Sequence, residues 1–294
     1  MKKIIVIIFA AFVLVGCSSS EKSESGTKTI EIAGENIEIP SNPQRIVADY
    51  YVGELIMLDA NLIGADFTYS STLWGDISDI ENVGQSMEAV AGLEPDLIIT
   101  INEEYVDQYK EIATTVVIPY GTYNPEELVL KLSEITNTEE KADEWVDNFN
   151  SNIEELKEIV DEEETWTILE LNGEGAYFYG EHYGRSGYIL YDKLGLKSTQ
   201  EAEEQYVRKA DSYLNATVES MPDLVGDNLI LVYPPDVDYT KHHFLTNDVW
   251  NSLNAVKQGN VYYVQADDFW YLDPFSLDKQ VEVLKEIFNE KNPK

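Results

Sequence analysis

The side chains best equipped for recognition chemistry gather around one loop in the second half of the chain. Arg185 sits in Tyr183-Gly184-Arg185-Ser186-Gly187, in a chain where 20 basic residues face 55 acidic ones. A guanidinium there offers a planar fork of donors that can hold two oxygens at once. Its competing role is a salt bridge to one of the many acids. The chain also carries 19 tyrosines and 5 tryptophans. Several stand where loops should leave strands: Tyr50, Tyr51, Tyr69, Trp74, Tyr120, Tyr177, Tyr179, Tyr183, Trp270 and Tyr271. Rings with a polar tip build walls for a bulky ligand that needs few fixed hydrogen bonds, although not all of these can line one site.

Catalytic patterns are missing. Gly184-Arg185-Ser186-Gly187 lacks the spacing of a nucleophile elbow, Gly173-Glu174-Gly175 lacks the third glycine of a dinucleotide loop, and no Walker sequence occurs. Adjacent acids such as Asp267 and Asp268 are expected by chance in so acidic a chain. No enzyme, no catalytic residue and no cofactor is expected. The three histidines, His182, His242 and His243, all fall in the second half. A first lobe without histidine is poorly placed to share a zinc or manganese ion, so no metal ligands are assigned. A single axial heme ligand, Met87, Tyr183 or His243, stays open. The formal net charge of -35 repels phosphate backbones, which excludes nucleic acid and leans toward neutral or cationic ligands.

Lys2 and Lys3, the apolar run Ile4 to Val15 and the small residues up to Cys17 read as an export signal, residues 1–16. The run is too short to span a bilayer permanently. Leu14-Val15-Gly16-Cys17 resembles the lipobox of bacterial lipoproteins, which implies palmitate-type lipidation of Cys17 and a chain anchored on the extracytoplasmic face of the cell membrane. Cys17 is the one cysteine, so no disulfide framework exists. Residues 17–29 are Ser-, Glu- and Lys-rich and are expected to be a flexible tether.

About 265 residues remain, more than one core usually serves. Short β-branched runs at Arg45 to Asp49, Leu62 to Ala65, Leu97 to Ile101 and Val116 to Pro119 read as buried parallel strands of an N-terminal α/β lobe, residues 30–137. Trp166 to Leu171, Leu229 to Tyr233 and Val261 to Val264 repeat the pattern, with helical segments between, in a C-terminal lobe, residues 165–294. Between them, apolar residues from Ala142 to Val160 recur at spacings of three and four. They predict one long helix over residues 138–164, with Thr138 as its N-cap, that joins the lobes as a strut. Asp278 to Glu290 is expected to close the fold as a helix. The fold class is therefore α/β: two Rossmann-like lobes, one long backbone helix, and a ligand cleft between the lobes.

Several segments, in order along the chain, resemble the solute-binding proteins that feed ferric siderophores, cobalamin or heme to ABC importers. They are Asn42-Pro43-Gln44-Arg45-Ile46-Val47; Val83-Gly84 with Glu88; Leu93-Glu94-Pro95-Asp96-Leu97-Ile98-Ile99; Val218-Glu219-Ser220-Met221-Pro222 with Gly226-Asp227-Asn228-Leu229-Ile230; and Trp250 with Leu253 to Tyr262. The resemblance covers nearly all of Ile30 to Glu290. Gly184-Arg185-Ser186-Gly187 and Trp270-Tyr271-Leu272-Asp273-Pro274 look most like the hydroxamate branch of that family. Tyr183 and Ser186 depart from the Trp-Gly-Arg-Gly-Gly stretch typical of that branch.

This resemblance implies a ferric siderophore as ligand and an ABC permease dimer with its ATPase as partner, the chain acting as a monomer. It implies ligand contacts from Arg185, Tyr183, Trp270 and Tyr271, joined by Tyr177, Tyr120 and Tyr69 from the aromatic set, and permease docking through Glu88 and Glu219, one on each lobe. Receptors of the same fold for heme, cobalamin or another iron chelate stay open, as does a non-transport surface lipoprotein.

Overall fold

The computed structural model describes residues 26–235 and 238–291. The signal segment, Cys17 and most of the tether lie outside them. The tether gives way to structure earlier than residue 30: β1 (Thr27–Ile32) and β2 (Glu35–Pro40) form an antiparallel hairpin. Ala33 and Gly34, at φ 51° and 85°, make its tight turn, while Ile30, Ile32 and Ile39 bury themselves in the core.

The N-terminal lobe is built on five parallel strands: β3 (Ile46–Ala48), β4 (Leu62–Ala65), β5 (Glu81–Asn82), β6 (Leu97–Thr100) and β7 (Thr114–Val117). They lie in the order β5-β4-β3-β6-β7. The C-terminal lobe uses β8 (Trp166–Asn172), β9 (Gly175–Tyr179), β10 (Tyr213–Asn215), β11 (Asn228–Tyr233) and β12 (Val261–Gln265), in the order β10-β9-β8-β11-β12. Both sheets thus follow the doubly-wound order third-second-first-fourth-fifth. The wiring differs. β8, β11 and β12 are parallel, but β9 runs antiparallel to both β8 and β10, so the second lobe departs from the regular alternation of strand and helix expected there. Gly173, at φ 55°, turns β8 directly into β9.

The family-like segments lock the sheet ends. Asp96 accepts the backbone N–H groups of Gln44 and Arg45 at 2.7 and 3.0 Å, and Asp227 holds Thr165 through its N–H and hydroxyl at 3.1 and 2.7 Å.

The connecting helix spans Glu139–Lys157 and stops short of Glu164. Asp161 to Glu164 are four consecutive acids, which the negative C-terminal end of a helix repels. At about 1.5 Å per residue it reaches under 30 Å. Thr138 does not cap it: its hydroxyl bonds Thr136 at 2.8 Å, because Asn137, at φ 60°, turns the chain tightly out of the preceding helix Pro125–Thr136.

Contacts spread across the lobe seam do the joining. Glu126 accepts hydrogen bonds from Tyr188 and Lys193, and Trp145 donates to both oxygens of Asp278 at 3.3 Å. The closing helix, Pro274–Lys291, is capped by Asp273, which accepts from the Phe275 and Ser276 N–H groups at 3.1 and 3.3 Å. Gly53, on the helix Val52–Met57, lets that cap approach: a Cβ there would lie 2.8 Å from Asp273 and 2.7 Å from the Trp74 indole nitrogen. No helix among the described residues is long and apolar enough to cross a membrane.

Next to Gly53, Glu54 is buried on the same seam. Burial and then Asp273 push its carboxyl from 4.5 up to about 8. The folded protein therefore keeps a proton that the unfolded chain has released, and stability falls as pH rises between those values. Glu54→Gln fixes the neutral form. Its melting temperature should exceed that of the unmodified protein by a margin that widens from pH 5 to pH 8; a margin constant with pH would refute this assignment.

Candidate functional site

Arg185 projects from the loop that follows β9. It and Ser186 adopt left-handed backbone, at φ 65° and 69°, a conformation that costs on the order of 1 kcal/mol for each non-glycine residue. Neighbouring loops hold it there. The Arg185 N–H donates to the Phe269 carbonyl, and the buried Ser186 N–H donates to Gln280 Oε1 at 3.1 Å. Gln280, on the closing helix, also donates to the Tyr271 carbonyl at 2.8 Å, so one amide ties the arginine loop to the Trp270 loop. The flanking glycines are required for this contact. A Cβ on Gly184 would stand 2.0 Å from the Trp270 carbonyl oxygen, and one on Gly187 would stand 1.9 Å from that of Gly180.

Glu170 sets the arginine's direction. It lies on β8, buried to 1% exposure. Its Oε2 accepts Arg185 Nε at 2.6 Å and its Oε1 accepts the Trp270 indole N–H at 3.0 Å. The guanidinium lies 4.4 Å from the Tyr179 ring centre and 5.5 Å from that of Trp270, and Nη1 points at the Trp270 carbonyl at 3.4 Å. Nη2 has no partner among the described residues and remains to donate outward. Burial pushes the Tyr179 hydroxyl up to about 12, with Arg185 opposing and Glu170 adding.

Aromatic rings extend from this pair on both lobes. Tyr183 meets Tyr179 and Tyr213 edge-on at 5.9 and 5.5 Å. On the N-terminal lobe, Tyr50 carries Tyr69 and Tyr120 edge-on at 6.3 and 5.9 Å. The lobes meet where the Tyr271 hydroxyl reaches the Ser70 carbonyl at 3.5 Å. Burial raises the Tyr120 hydroxyl, Tyr183 and Glu54 add to it, and Arg185, which belongs to the other lobe, opposes. Tyr69, Tyr120, Tyr213 and Trp270 stay exposed, so ring surface is open on both walls.

Six of the seven ligand residues expected from sequence thus converge on one cleft: Arg185, Tyr183, Trp270, Tyr271, Tyr120 and Tyr69. Tyr177 is the outlying one. It sits on β9 rather than on a loop, 6.4 Å from Tyr179, and lines a separate hollow of ≈ 480 Å³ with Glu174, Asn215, Glu219, His243 and Phe244. That hollow lacks Arg185, so the aromatic cleft is the better candidate site. Glu170, Gln280 and Tyr213 were not singled out from sequence. A glutamate inside the apolar run of β8 and a glutamine on the apolar face of the closing helix were the available signals, because polar groups at buried positions need a structural or functional partner.

His242 turns its ring to the Gly173 carbonyl at 3.0 Å, and burial lowers its basicity. No group of three or more metal-ligating side chains occurs among the described residues.

Glu88 and Glu219 occupy matching places. Each is exposed, each lies two residues after a capping hydroxyl, and each follows the outermost strand on the same side of its sheet, β5 or β10. Ser86 caps the Ala89 N–H at 3.2 Å and Thr217 caps that of Ser220 at 3.1 Å.

Known proteins resemble the chain along most of its length. Residues 75–267 match the periplasmic binding protein family. The iron(3+)-hydroxamate-binding protein YxeB of Bacillus subtilis is 32% identical over 92% of this chain and 87% of its own. Among solved structures, the FhuD fold-family periplasmic binding protein component of a Fep/Fec-like ferrichrome ABC transporter from Bacillus subtilis is 29% identical, with TM-score 0.77, over 89% of this chain and 100% of that one. FhuD2 from Staphylococcus aureus with bound ferrioxamine B is 26% identical, with TM-score 0.73, over 84% of this chain and 99% of that one.

The glycine contact gives a direct check. Gly184→Ala should push the Arg185 loop off the Trp270 carbonyl, lower the melting temperature and shift tryptophan emission. A variant with unchanged melting and emission would show that the two loops are not packed backbone to backbone.

Proposed function

The chain belongs to the periplasmic binding protein family, and from that premise we propose that it captures ferric siderophores of the hydroxamate type and delivers them to an ABC permease. The observation that carries this reading is the Arg185–Glu170 pair set among Tyr179, Tyr183 and Trp270. A ferric trihydroxamate is bulky and close to neutral, and its metal is already saturated. It needs ring surface to cover its flanks and a few donors for its hydroxamate oxygens, not ligands to iron. The rings supply the first and the outward Nη2 of Arg185 supplies the second.

Charge favours the same class. Glu170 neutralises Arg185, and no other chain cation acts on the pair's surroundings at comparable range among the described residues. A strongly anionic tricatecholate would find no excess positive charge to offset its own. The relatives point the same way: YxeB is an iron(3+)-hydroxamate-binding protein, and FhuD2 holds ferrioxamine B.

In this reading Cys17 carries the lipid that tethers the protein outside the cell membrane, and Glu88 and Glu219 seat one lobe each on a two-fold permease through its cationic side chains. The equivalent positions of the two glutamates support that last step.

Iron-loaded ferrioxamine B or ferrichrome, added to the purified domain, should quench tryptophan fluorescence saturably, and the iron-free ligand should not. Arg185→Ala should weaken binding about tenfold or more, the loss expected for a charge-assisted bond. Indifference to both chelates would overturn the assignment. For docking, Glu88→Ala combined with Glu219→Ala should abolish iron uptake by cells while ligand affinity in vitro stays unchanged; a parallel loss of affinity would refute separate docking and binding surfaces.

A further inference from the structure

The hollow that Tyr177 lines is built from elements that capture of a chelate does not use. One wall is the turn from β8 into β9, which carries Glu174, with Tyr177 following on β9. A second wall is the segment after β11. There the His242 ring meets the Gly173 carbonyl at 3.0 Å, which pins the segment to the turn, and His243 stacks on His242 and meets Phe244 with ring centres 5.0 and 4.6 Å apart. The end of β10 and the Thr217 cap, which presents Glu219, complete the rim.

At ≈ 480 Å³ the hollow has room for whole side chains, and Glu174, Asn215, Glu219 and His243 on its rim are exposed, so its mouth is wide. Two carboxylates line it, and neither lysine nor arginine does. Carboxylates beside ring surface suit a cation on an apolar stem. A free small cation in so open a site keeps most of its water and loses its own translational freedom for little contact. A basic side chain carried on a docked surface loses that freedom once for the whole interface. Glu219 makes the hollow continuous with the surface assigned to the permease. The N-terminal lobe cannot repeat it in this form, because every neighbouring pair of strands in that sheet is parallel and no hairpin turn stands where Glu174 does.

We propose that this hollow is a socket for a lysine or arginine side chain of the permease, held by Glu174 and Glu219 against the Tyr177 ring, so that the C-terminal lobe grips the permease more deeply than the N-terminal lobe. The socket rests on the docking reading above.

Uptake of ferric ferrioxamine B by cells that make the full-length chain as their receptor tests it. Glu174→Lys reverses one charge of the socket, and Asn215→Trp fills it from the rim; both positions are exposed, so the melting temperature should hold. Each should cut the uptake rate about tenfold or more, since like charges or a clash at an interface cost several kcal/mol. Glu144→Lys, the same charge change on the exposed face of the connecting helix, should leave uptake unchanged. The dissociation constant of each purified domain for ferric ferrioxamine B should match that of the unmodified protein. Normal uptake by Glu174→Lys or by Asn215→Trp, while Glu88→Ala with Glu219→Ala abolishes it, would overturn the socket and leave the docking reading standing. Normal uptake by the double alanine variant would overturn both. An equal loss with Glu144→Lys would make overall charge the cause and overturn the socket. So would a fall in ligand affinity, which would give the hollow to the chelate, or a dimer in sedimentation that Asn215→Trp dissociates, which would give it to a second copy.

Discussion

One buried carboxylate organises the cleft. Glu170 stands on the central strand of the C-terminal sheet, where an unpaired charge would be costly, and each of its oxygens receives a donor from a different loop. Arg185 comes from the segment after β9 and Trp270 from the segment after β12, so neither loop can leave without exposing or stranding the acid. The pair is not evidence of stability by itself, since desolvation offsets much of its attraction. What it provides is direction: a guanidinium fixed on one side has its remaining donors aimed at the other. Gln280 repeats the device one layer down, holding the left-handed Ser186 and the Tyr271 carbonyl with one amide.

The two lobes show how the same strand order serves different ends. In the N-terminal sheet every connection is a crossover, and its aromatic residues stand on the connections after β3, β4 and β7: Tyr50, Tyr69 and Tyr120. In the C-terminal sheet one hairpin, β8 to β9, and one long antiparallel return, β9 to β10, replace crossovers, and Tyr179 and Tyr213 become directly paired neighbours on β9 and β10. Rings on paired strands face a ring cluster on loops. The strand-borne wall carries Glu170, which aims the arginine, and the loop-borne wall offers exposed ring surface.

Much of this was legible in the sequence, and the misses have physical causes. The buried parallel strands announced themselves as continuous β-branched runs, and the Gly-Arg-Ser-Gly loop stood out because cations are scarce. β9 was hidden because Tyr177 and Tyr179 read as loop aromatics, although they alternate with buried Ala176 and Phe178 as a half-exposed strand requires. The connecting helix read too long because its apolar spacing runs on to Val160, while the acid run beyond it and the tight turn at Asn137 set the true limits. Glu170 and Gln280 could not be assigned partners from sequence, since those partners lie 15 and 94 residues away along the chain.

The acid excess of the chain does not by itself fix what the cleft holds. Most of the carboxylates are exposed, where salt screens them within about 10 Å, so the formal charge of -35 describes the surface more than the site. At the cleft and the seam beside it the balance is set by three buried acids and one arginine. Glu170 cancels Arg185, Asp273 is absorbed as the cap of the closing helix, and burial beside Asp273 pushes Glu54 toward its neutral form. Burial strengthens these short-range interactions relative to the distant surface field. Local pairing, rather than overall composition, is therefore what sets the charge this site presents to a ligand.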